Sequence, residues 1–427
     1  MKFALPKSWT SSKLSEFSYL TMGQSPKGEF VNEEGDGMPF YQGKAEFGKH
    51  NPKPRKSCTK PTKVVESGDI LLSVRAPVGP TNICQETSCV GRGLAGIRSR
   101  IPESQRYLHY YFKNIEPWLS QQGTGTTFKA VSGGFLRELE VPVPPLAEQT
   151  RIANKLDELL AQVDTIKARV DAIPGILKRF RQSVLAAAVS GRLTEEWRGT
   201  PDLIGWKQKT LLDVIVSKPR NGHSPKGVEY ETKYRNLTLS ATTPGYFVPN
   251  KFKYIDIDIP DDSHLWVKNG DILIQRANSL EYVGVSALYM GVDNEYVYPD
   301  LMMKCRPNEQ IVPEYLHYCL MSCQVRKYFR DNATGTAGNM PKINQKVVSC
   351  APIMLPSIEE QKSIVAVVEK LKRFSDLVVK RADSARGRSN DLTQSILAKA
   401  FRGELVPQNP DDEPASVLLE RIRGGSR

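Results

Sequence analysis

Apolar residues recur at alternating intervals of four and three between residues 152 and 173. This is the heptad pattern of a helix that buries one stripe against a partner helix. Pro144 and Pro145 stand just before the pattern, where a helix can begin, and Gly191 stands where its C-cap would lie. The dipeptide Pro174-Gly175 predicts a kink or an interruption. The predicted seam residues are Ile152, Leu156, Leu159, Val163, Ile166, Val170 and Ile173.

The same pattern returns 212 residues later in the chain. Glu148 corresponds to Glu360, and the alignment continues without a gap to Leu193 and Leu405. Of its 46 aligned positions, 15 are identical. Ser375 interrupts the apolar stripe of this second predicted helix. The seam residues predicted here are Ile364, Val368, Leu371, Val378, Ala382 and Ala385.

Two such helices admit two arrangements. Each can bury its stripe in a separate globular core, or the two can pair with each other as an antiparallel coiled coil. A helix of about 44 residues spans ~65 Å at 1.5 Å per residue, which is longer than a domain of ~150 residues requires. The length therefore favours the pairing.

The segments in front of the two helices also repeat, but more loosely. Each mixes short β-rich stretches with Gly- and Pro-rich turns, and each has a predicted helix at a Tyr-Leu-His-Tyr sequence. We expect an α/β (α+β) protein in which two domains with curved sheets, 1–144 and 206–356, alternate with helical arms, 145–205 and 357–427. The matching segments, in order, begin at Ser25 and Ser224, Gly68 and Gly270, Tyr107 and Tyr315, and Thr124 and Thr334.

Basic residues outnumber acidic ones by 59 to 47, which gives a net charge of +12. The four segments carry +6, +1, +3 and +2, so most of the excess lies in the two loosely repeated domains. Such a balance favours a polyanionic partner such as DNA, although an individual lysine on a basic domain is more often plain solvated surface. Residues common to both domains suit phosphate contact or the fold better than base recognition. The candidates of this kind are Lys27, Arg75, Thr124, Thr126, Lys226, Arg276, Thr334 and Thr336. Lys44 is a further candidate because it follows aromatic and glycine residues in Phe40-Tyr41-Gln42-Gly43-Lys44, a combination that suits phosphate contact with base or sugar packing.

The sequence has few features that indicate catalysis, metal binding or membrane insertion. The sequence has no Walker loop and no zinc-type cysteine spacing, and its seven scattered cysteines argue against a disulfide framework. His109 and His317 occupy equivalent positions in aromatic clusters, which favours packing over acid–base chemistry. No apolar run reaches the length of a membrane span, and the first residues lack a signal peptide, so we expect a cytoplasmic protein without catalytic or metal-binding residues.

This alternation of two diverged domains with two similar arms resembles the DNA-specificity subunit of Type I restriction–modification systems. The resemblance covers essentially the whole chain and is carried by residues 141–149 (Val-Pro-Val-Pro-Pro-Leu-Ala-Glu-Gln) and by their weaker repeat at 353–361. The repeat lacks the second proline and has Glu359 in place of Ala147, which is a minor departure. The similar arm ends at Gly191 and Gly403 complete the pattern.

The resemblance implies that each variable domain recognises one half of a split double-stranded DNA target. It also implies that the paired helices set the distance between the halves and dock two methyltransferase subunits, with restriction subunits joining them. S-adenosylmethionine, ATP and Mg²⁺ would then bind to those partners and not to this chain. An alternative is a regulator that binds DNA through tandem domains without enzymatic partners. Failure to co-purify with a methyltransferase would favour that alternative.

Overall fold

The computed structural model describes residues 5–123, 130–335 and 340–424. Helices and sheets are mixed, and the chain divides into two compact units. The first unit comprises residues 1–171 and 383–427, and the second comprises residues 172–382. Each unit therefore holds one of the two repeated domains together with part of each long helix, which confirms the predicted class of fold.

The described residues of the first unit's domain form three sheets, with strand orders β1-β11, β2-β10-β7-β8 and β3-β5-β4-β9-β6. Its Tyr-Leu-His-Tyr segment lies in a helix, α2, as the sequence predicts. The elements are β1 (Thr10–Lys13), α1 (Leu14–Phe17), β2 (Ser18–Met22), β3 (Val31–Asn32), β4 (Met38–Tyr41), β5 (Lys56–Cys58), β6 (Val64–Val65), β7 (Ile70–Ser73), β8 (Thr81–Ile83), β9 (Ser88–Val90), β10 (Leu94–Ser99), α2 (Gln105–Leu119), α3 (Gly133–Arg137) and β11 (Glu140–Val143).

The rest of the chain repeats two of these three sheets. The pair β12-β20 corresponds to β1-β11, and β13-β19-β17-β18 corresponds to β2-β10-β7-β8, whereas the third sheet, β14-β16-β15, is smaller than its counterpart. The elements are α4 (Leu146–Val189), α5 (Glu195–Arg198), β12 (Lys207–Thr210), β13 (Arg220–Asn221), β14 (Gly227–Val228), β15 (Tyr234–Leu237), β16 (Phe252–Ile255), β17 (Ile272–Gln275), β18 (Ser286–Leu288), β19 (Met302–Cys305), α6 (Pro313–Met321), α7 (Cys323–Asp331), α8 (Gln345–Ser349), β20 (Pro352–Leu355), α9 (Ile358–Phe401) and α10 (Ala415–Gly424).

The long helices α4 and α9 are each 44 residues in length. Gly191 and Gly403, just past their ends, have φ angles of 74° and 75°, which confirms the predicted glycine caps. Of the two outcomes predicted at Pro174, an interruption does not occur, because α4 continues through the proline; a kink stays a prediction. A proline inside a helix removes one backbone hydrogen bond and costs about 3 kcal/mol, a loss that side-chain packing on both sides of the proline offsets.

Polar contacts show that α4 and α9 pack together with opposite directions. In the first unit, Lys167 Nζ donates to Thr393 Oγ1 at 3.1 Å, and the Arg386 guanidinium lies 2.8 Å from the Asp171 carboxylate. Residue numbers thus rise along α4 as they fall along α9. In the second unit, Arg181 of α4 meets α9 in the same way through bonds to residues 375 and 376. The antiparallel pairing predicted from the two heptad patterns is confirmed.

The buried seam recurs every seventh residue on both helices. Ser375, which interrupts the apolar pattern, is fully buried in this seam and accepts a 2.8 Å hydrogen bond from Arg181. Ile166, predicted to lie in the seam, is instead 47% exposed. The small side chains on α9 cover only a narrow stripe of α4, so the second apolar position of a heptad lies at its edge. The buried positions are Leu156, Val163, Val170, Leu177 and Val184 on α4, and Val368, Ser375, Ala382 and Ser389 on α9.

The remaining predicted seam residues are likewise either buried or at the edge of the apolar stripe. Residues near the ends of the helices join the hydrophobic cores of the domains, where the burial is complete or nearly so. Side chains at the edge of the stripe are half-buried. The core residues are Ile152, Leu156, Ile364 and Val368, and the half-buried ones are Leu159, Ile173, Leu371, Val378 and Ala385.

A buried glutamate in the first turn of each long helix anchors that turn to the unit in which the turn lies. In the second unit, Glu360 accepts hydrogen bonds from Thr194 Oγ1 at 2.6 Å and Trp206 Nε1 at 3.0 Å, and it forms an ion pair with Arg198. The side chains of the ion pair are 5% exposed or less. In the first unit, Glu148 accepts a bond of 2.5 Å from Gln408. The repeated Glu-Gln sequence is therefore the start of a docked helix.

The Tyr-Leu-His-Tyr segments attach each domain to the beginning of its long helix. Tyr107 of α2 donates to the Pro142 carbonyl at 2.7 Å, and Tyr315 of α6 donates to the equivalent carbonyl, that of Met354, at 2.7 Å. The second tyrosine of each segment donates to a carboxylate on the long helix: Tyr110 to Asp157 and Tyr318 to Glu369, the latter at 2.8 Å. Asp157 and Glu369 are themselves 212 residues apart, so the two attachments are the same.

The histidines between these tyrosines are buried. Burial lowers the pKa of His109 to about 3 and that of His317 to about 4. Lys372 lowers the pKa of His317 further, while the Ser286 carbonyl, 3.2 Å from Nε2, and Glu369 act in the opposite direction. Both imidazoles are neutral near pH 7, in keeping with packing rather than proton transfer.

Removal of the Glu360 carboxylate should destabilise the second unit, because it leaves the Arg198 guanidinium buried without its counterion. We expect Glu360→Ala to lower the free energy of unfolding by about 3–5 kcal/mol. Glu359→Ala, at the exposed preceding position on α9, should change it by no more than about 0.5 kcal/mol. Urea titration of the two variants measures both values. An equal loss in both would contradict the anchoring role of Glu360.

Acidification should destabilise the second unit through His317. Between pH 6.5 and 4 the unfolded chain takes up a proton at this residue, whereas the folded protein does not. The free energy of unfolding should therefore fall by about 1.4 kcal/mol per pH unit in this window from this group. In urea titrations across the window, His317→Gln should fall less steeply by this amount, and His223→Gln, at an exposed histidine, should match the wild type. An unaltered slope in His317→Gln would mean that the buried imidazole is charged.

Candidate nucleic-acid interface

Loops that carry predicted DNA-contacting residues meet beyond the end of β7 in the first domain. The Arg92 amide donates to the Ser25 hydroxyl at 3.4 Å, which joins the loop of Lys27 to the turn at 91–93. The Val74 amide donates to the Gly93 carbonyl at 2.9 Å, which joins the loop of Arg75 to the same turn. We call segments 25–28, 74–77 and 91–93 the first loop junction.

Close backbone approach brings the segment of Lys44 to this junction. The Gly91 amide donates to the Tyr41 carbonyl at 2.8 Å. A Cβ atom at Gly93 would lie 2.3 Å from the Gln42 carbonyl oxygen, so a larger residue would force the two segments apart. Lys44 follows two residues after Gln42.

The second domain forms a corresponding junction beyond the end of β17. The Asp300 amide donates to the Ser224 hydroxyl at 3.1 Å, in the same way that Arg92 donates to its serine in the first domain. The Arg276 amide donates to the Leu301 carbonyl at 2.8 Å, and its guanidinium donates to the Asp300 carbonyl at 3.4 Å. We call segments 224–227, 276–278 and 299–301 the second loop junction.

The strand-like segment of Thr334 lies beside the second loop junction. Thr334 and Lys342 exchange backbone hydrogen bonds of 2.8 and 2.9 Å, and the Ile343 amide donates to the Arg276 carbonyl at 2.9 Å. The Thr334 hydroxyl also donates to the Lys342 carbonyl at 3.3 Å, so part of its role is in the fold. The segments of Thr334 and Lys342 are thus joined to the segment of Arg276, which is more than 50 residues away in the chain.

The predicted contact residues differ in their availability. Arg276 is half-buried against the second loop junction, and Lys27 lies 3.8 Å from the Glu29 carboxylate. The side chains exposed to solvent are those of Lys27, Lys44, Arg75, Lys226 and Thr334. Thr124, Thr126 and Thr336 lie outside the described residues. DNA contact by any member of this set stays a prediction.

Sequence reasoning missed one cation at the first loop junction. Arg92 is exposed between two buried glycines, and the corresponding residue of the second junction is Asp300. In the sequence, Arg92 and Asp300 correspond only in that each lies two residues before its strand, β10 or β19, and this is visible only after the strands have been aligned. Two junctions with the same backbone bonds therefore present opposite charges at this position.

Apolar side chains also lie at the surface of the paired helices in both units, and in the second unit they include Ile176, Phe374 and Leu377. In the first unit, Ile166 and Leu392 are 47% and 45% exposed and immediately precede the hydrogen-bonded residues 167 and 393. Their counterparts 212 residues away are Val378 and Phe180, both half-buried, in the second unit. Each unit thus has an apolar side chain at or near the surface of both helices, and exposed apolar patches are typical of protein-binding surfaces.

Within the described ranges, we find no cluster of three His, Cys, Asp or Glu side chains suited to a metal ion. Among the helices of those ranges, none is long and apolar enough to cross a membrane.

Residues 6–174 and 204–383 match the family described as the Type I restriction modification DNA specificity domain. The chain is 37% identical over 315 residues to the Type I restriction enzyme EcoKI specificity subunit of Escherichia coli strain K12, which covers 71% of this chain and 68% of that protein. It is 31% identical over 444 residues to the EcoBI specificity subunit of Escherichia coli, which covers 97% and 92%.

Solved structures show the same fold. A chain from a study of complex assembly and conformational transition in the type I R-M system matches with a TM-score of 0.71, at 19% identity, over 95% of this chain and 100% of that one. The HsdS subunit from Thermoanaerobacter tengcongensis matches with a TM-score of 0.58, at 19% identity, over 94% and 98%. The family match and the two similar specificity subunits, together with the repeated domains and the paired helices, favour a specificity subunit over a stand-alone regulator. The chain belongs to the family of DNA-specificity subunits of Type I restriction–modification enzymes.

Proposed function

We propose that this chain selects a split double-stranded DNA sequence, with residues 1–144 recognising one half and residues 206–356 recognising the other. The observation that carries this proposal is the repeated loop junction. The same bond from a backbone amide to a serine hydroxyl holds both junctions, whereas the third sheet and the charges at the junctions differ. Two domains that recognise different half-sites need a common frame, because phosphates are the same in every DNA sequence. They also need different residues around that frame, because the base edges differ between sequences.

We further propose that the paired helices dock two methyltransferase subunits and that restriction subunits join the complex. Ile166 and Leu392 in the first unit, with the half-buried Val378 and Phe180 at the equivalent positions of the second, support one docking surface on each unit. The chain then supplies specificity and assembly without catalysis. S-adenosylmethionine, ATP and Mg²⁺ bind to the partner subunits.

Exchange of one domain should alter one half of the target. Replacing residues 1–144 with the corresponding domain of a relative should change one half of the methylated motif and leave the other half intact, because each domain has its own core. Sequencing of modified bases in cells that carry the hybrid measures this. The reciprocal exchange of residues 206–356 is the control and should change the other half. A hybrid that alters both halves contradicts independent recognition.

Replacing the exposed apolar residues Ile166 and Leu392 of the first unit with charged ones should prevent one methyltransferase subunit from binding. We expect Ile166→Asp combined with Leu392→Asp to shift the co-expressed complex from two methyltransferase subunits to one, because a carboxylate at an apolar interface loses its hydration. Native mass spectrometry counts the subunits. Both positions are exposed, so the helix pair itself should remain folded.

The matched control is Ala168→Asp combined with Asn390→Asp. These exposed residues lie two positions away, about 200° around each helix, and the pair introduces two new carboxylates, as in the test variant. The control should retain both methyltransferase subunits. Two subunits in the Ile166 and Leu392 variant would mean that docking uses another face.

A further inference from the structure

One ion pair is repeated at the start of the central strand of each domain. In the first domain, Asp69, just before β7, accepts from Arg98 Nε at 2.6 Å. In the second, Asp271, just before β17, accepts from Arg306 Nε at 2.8 Å. Each aspartate also accepts a backbone amide from the residue three positions before it, at 2.9 and 2.8 Å. This pair lies at the opposite end of the strand from the loop junctions and belongs to the common frame.

The residues around this shared pair carry different charges in the two domains. Thr21 and Gly96 lie directly opposite each other on neighbouring strands of the first domain, and Arg220 and Lys304 do so at the corresponding place in the second. Strand register therefore aligns Thr21 with Arg220 and Gly96 with Lys304. The residue whose amide bonds the aspartate is Glu66 in the first domain and is a lysine in the second. Counting the ion pair, five equivalent positions have a net charge of −1 in the first domain (Thr21, Glu66, Asp69, Gly96, Arg98) and +3 in the second (Arg220, Lys268, Asp271, Lys304, Arg306).

In the first domain this place has no room for a second cation, and its arginine is already paired with carboxylates. A Cβ atom at Gly96 would lie 2.3 Å from Val65 Cγ1, so no side chain fits there. Arg98 is bound by Glu66 as well as by Asp69, so its charge already has two carboxylate partners.

In the second domain the same place is an open pocket of about 250 Å³. Lys304 forms part of its wall with a side chain only 15% exposed, held 3.2 Å from Asp271. Burial lowers the pKa of Lys304, and Asp271 opposes that effect. Because Asp271 is shared with Arg306, one carboxylate faces two cations. Asp262 also lines the pocket, as do Trp266 and His264.

Three further cations line this pocket without a carboxylate of their own. Lys218, Arg220 and Lys268 all belong to its lining and are exposed. Among the residues that the structure describes, no carboxylate lies within 4 Å of their charged groups. Such cations are attractive to an anion, because they gain a counterion without first losing one.

We propose that this pocket of the second domain binds a phosphate group, and that the first domain lacks the equivalent site. The phosphate belongs either to the backbone of bound DNA or to a free phosphate compound, and the chemistry of recognition is the same. Only the first source rests on the proposed function. Lys218, Arg220 and Lys268 bind the anion, while Lys304 and Arg306 stay on their shared carboxylate.

The test replaces two cations with the residues found in the first domain. Arg220→Thr combined with Lys268→Glu removes three units of positive charge and leaves the buried Lys304 in place. The control, Lys207→Thr combined with Lys346→Glu, makes the same change at two exposed lysines that do not line the pocket. Calorimetric titration of the full chain with pyrophosphate measures the site directly. We expect binding at least tenfold weaker in the pocket variant than in the control.

A second measurement identifies the source of the phosphate. The salt dependence of DNA binding is measured for each variant in the complex with methyltransferase subunits. Weaker pyrophosphate binding together with a salt slope lower by about one than in the control assigns the site to a DNA backbone phosphate. Weaker pyrophosphate binding with the control's slope assigns it to a free phosphate compound. Pyrophosphate binding equal to the control's overturns the proposal, whether or not the complex recognises a split DNA sequence.

Discussion

A helix of 44 residues with one apolar stripe cannot bury that stripe on itself, and this constraint underlies the whole structure. The stripe of α4 packs against α9 in both units, so the first and last turns of each helix are left to join the domain cores. Ile152 and Leu156 enter the core of the first unit, and Ile364 and Val368 enter that of the second. Glutamates 148 and 360 are buried there because these first turns are inside a core.

The two domains share a frame and differ in what they present. The frame consists of the two-stranded and four-stranded sheets, the tyrosine attachments and the aspartate–arginine pair. The differences lie in the third sheet, in the charge of the loop junctions and in the pocket beside Asp271. A protein that recognises two unrelated half-sites needs this separation, because a change in a surface side chain then leaves the anchoring of the helices intact.

Buried serines explain why α9 reads as an irregular heptad. Ser375 and Ser389 are 0% and 7% exposed, and each makes a hydrogen bond. A small polar side chain is tolerated in a seam when its hydroxyl is satisfied, and it also lets the helix backbones approach. In the sequence such a serine interrupts the apolar pattern, because its hydrogen-bond partner lies on another helix or turn and is not visible from hydrophobicity alone. For the same reason, hydrophobicity alone predicted that Ile166 lies in the seam, although it is exposed.

The sequence by itself determined the repeat, the extent of the long helices, their glycine caps and the antiparallel pairing, because heptad spacing and internal similarity are local or ungapped signals. It also indicated which segments carry the excess charge. Only the tertiary structure decided that Lys27, Lys44 and Arg75 lie around one junction, that Arg92 joins them, and that Arg220, Lys268 and Lys304 line one pocket. These residues are far apart in the chain, and strand register, which no single segment encodes, brings them together.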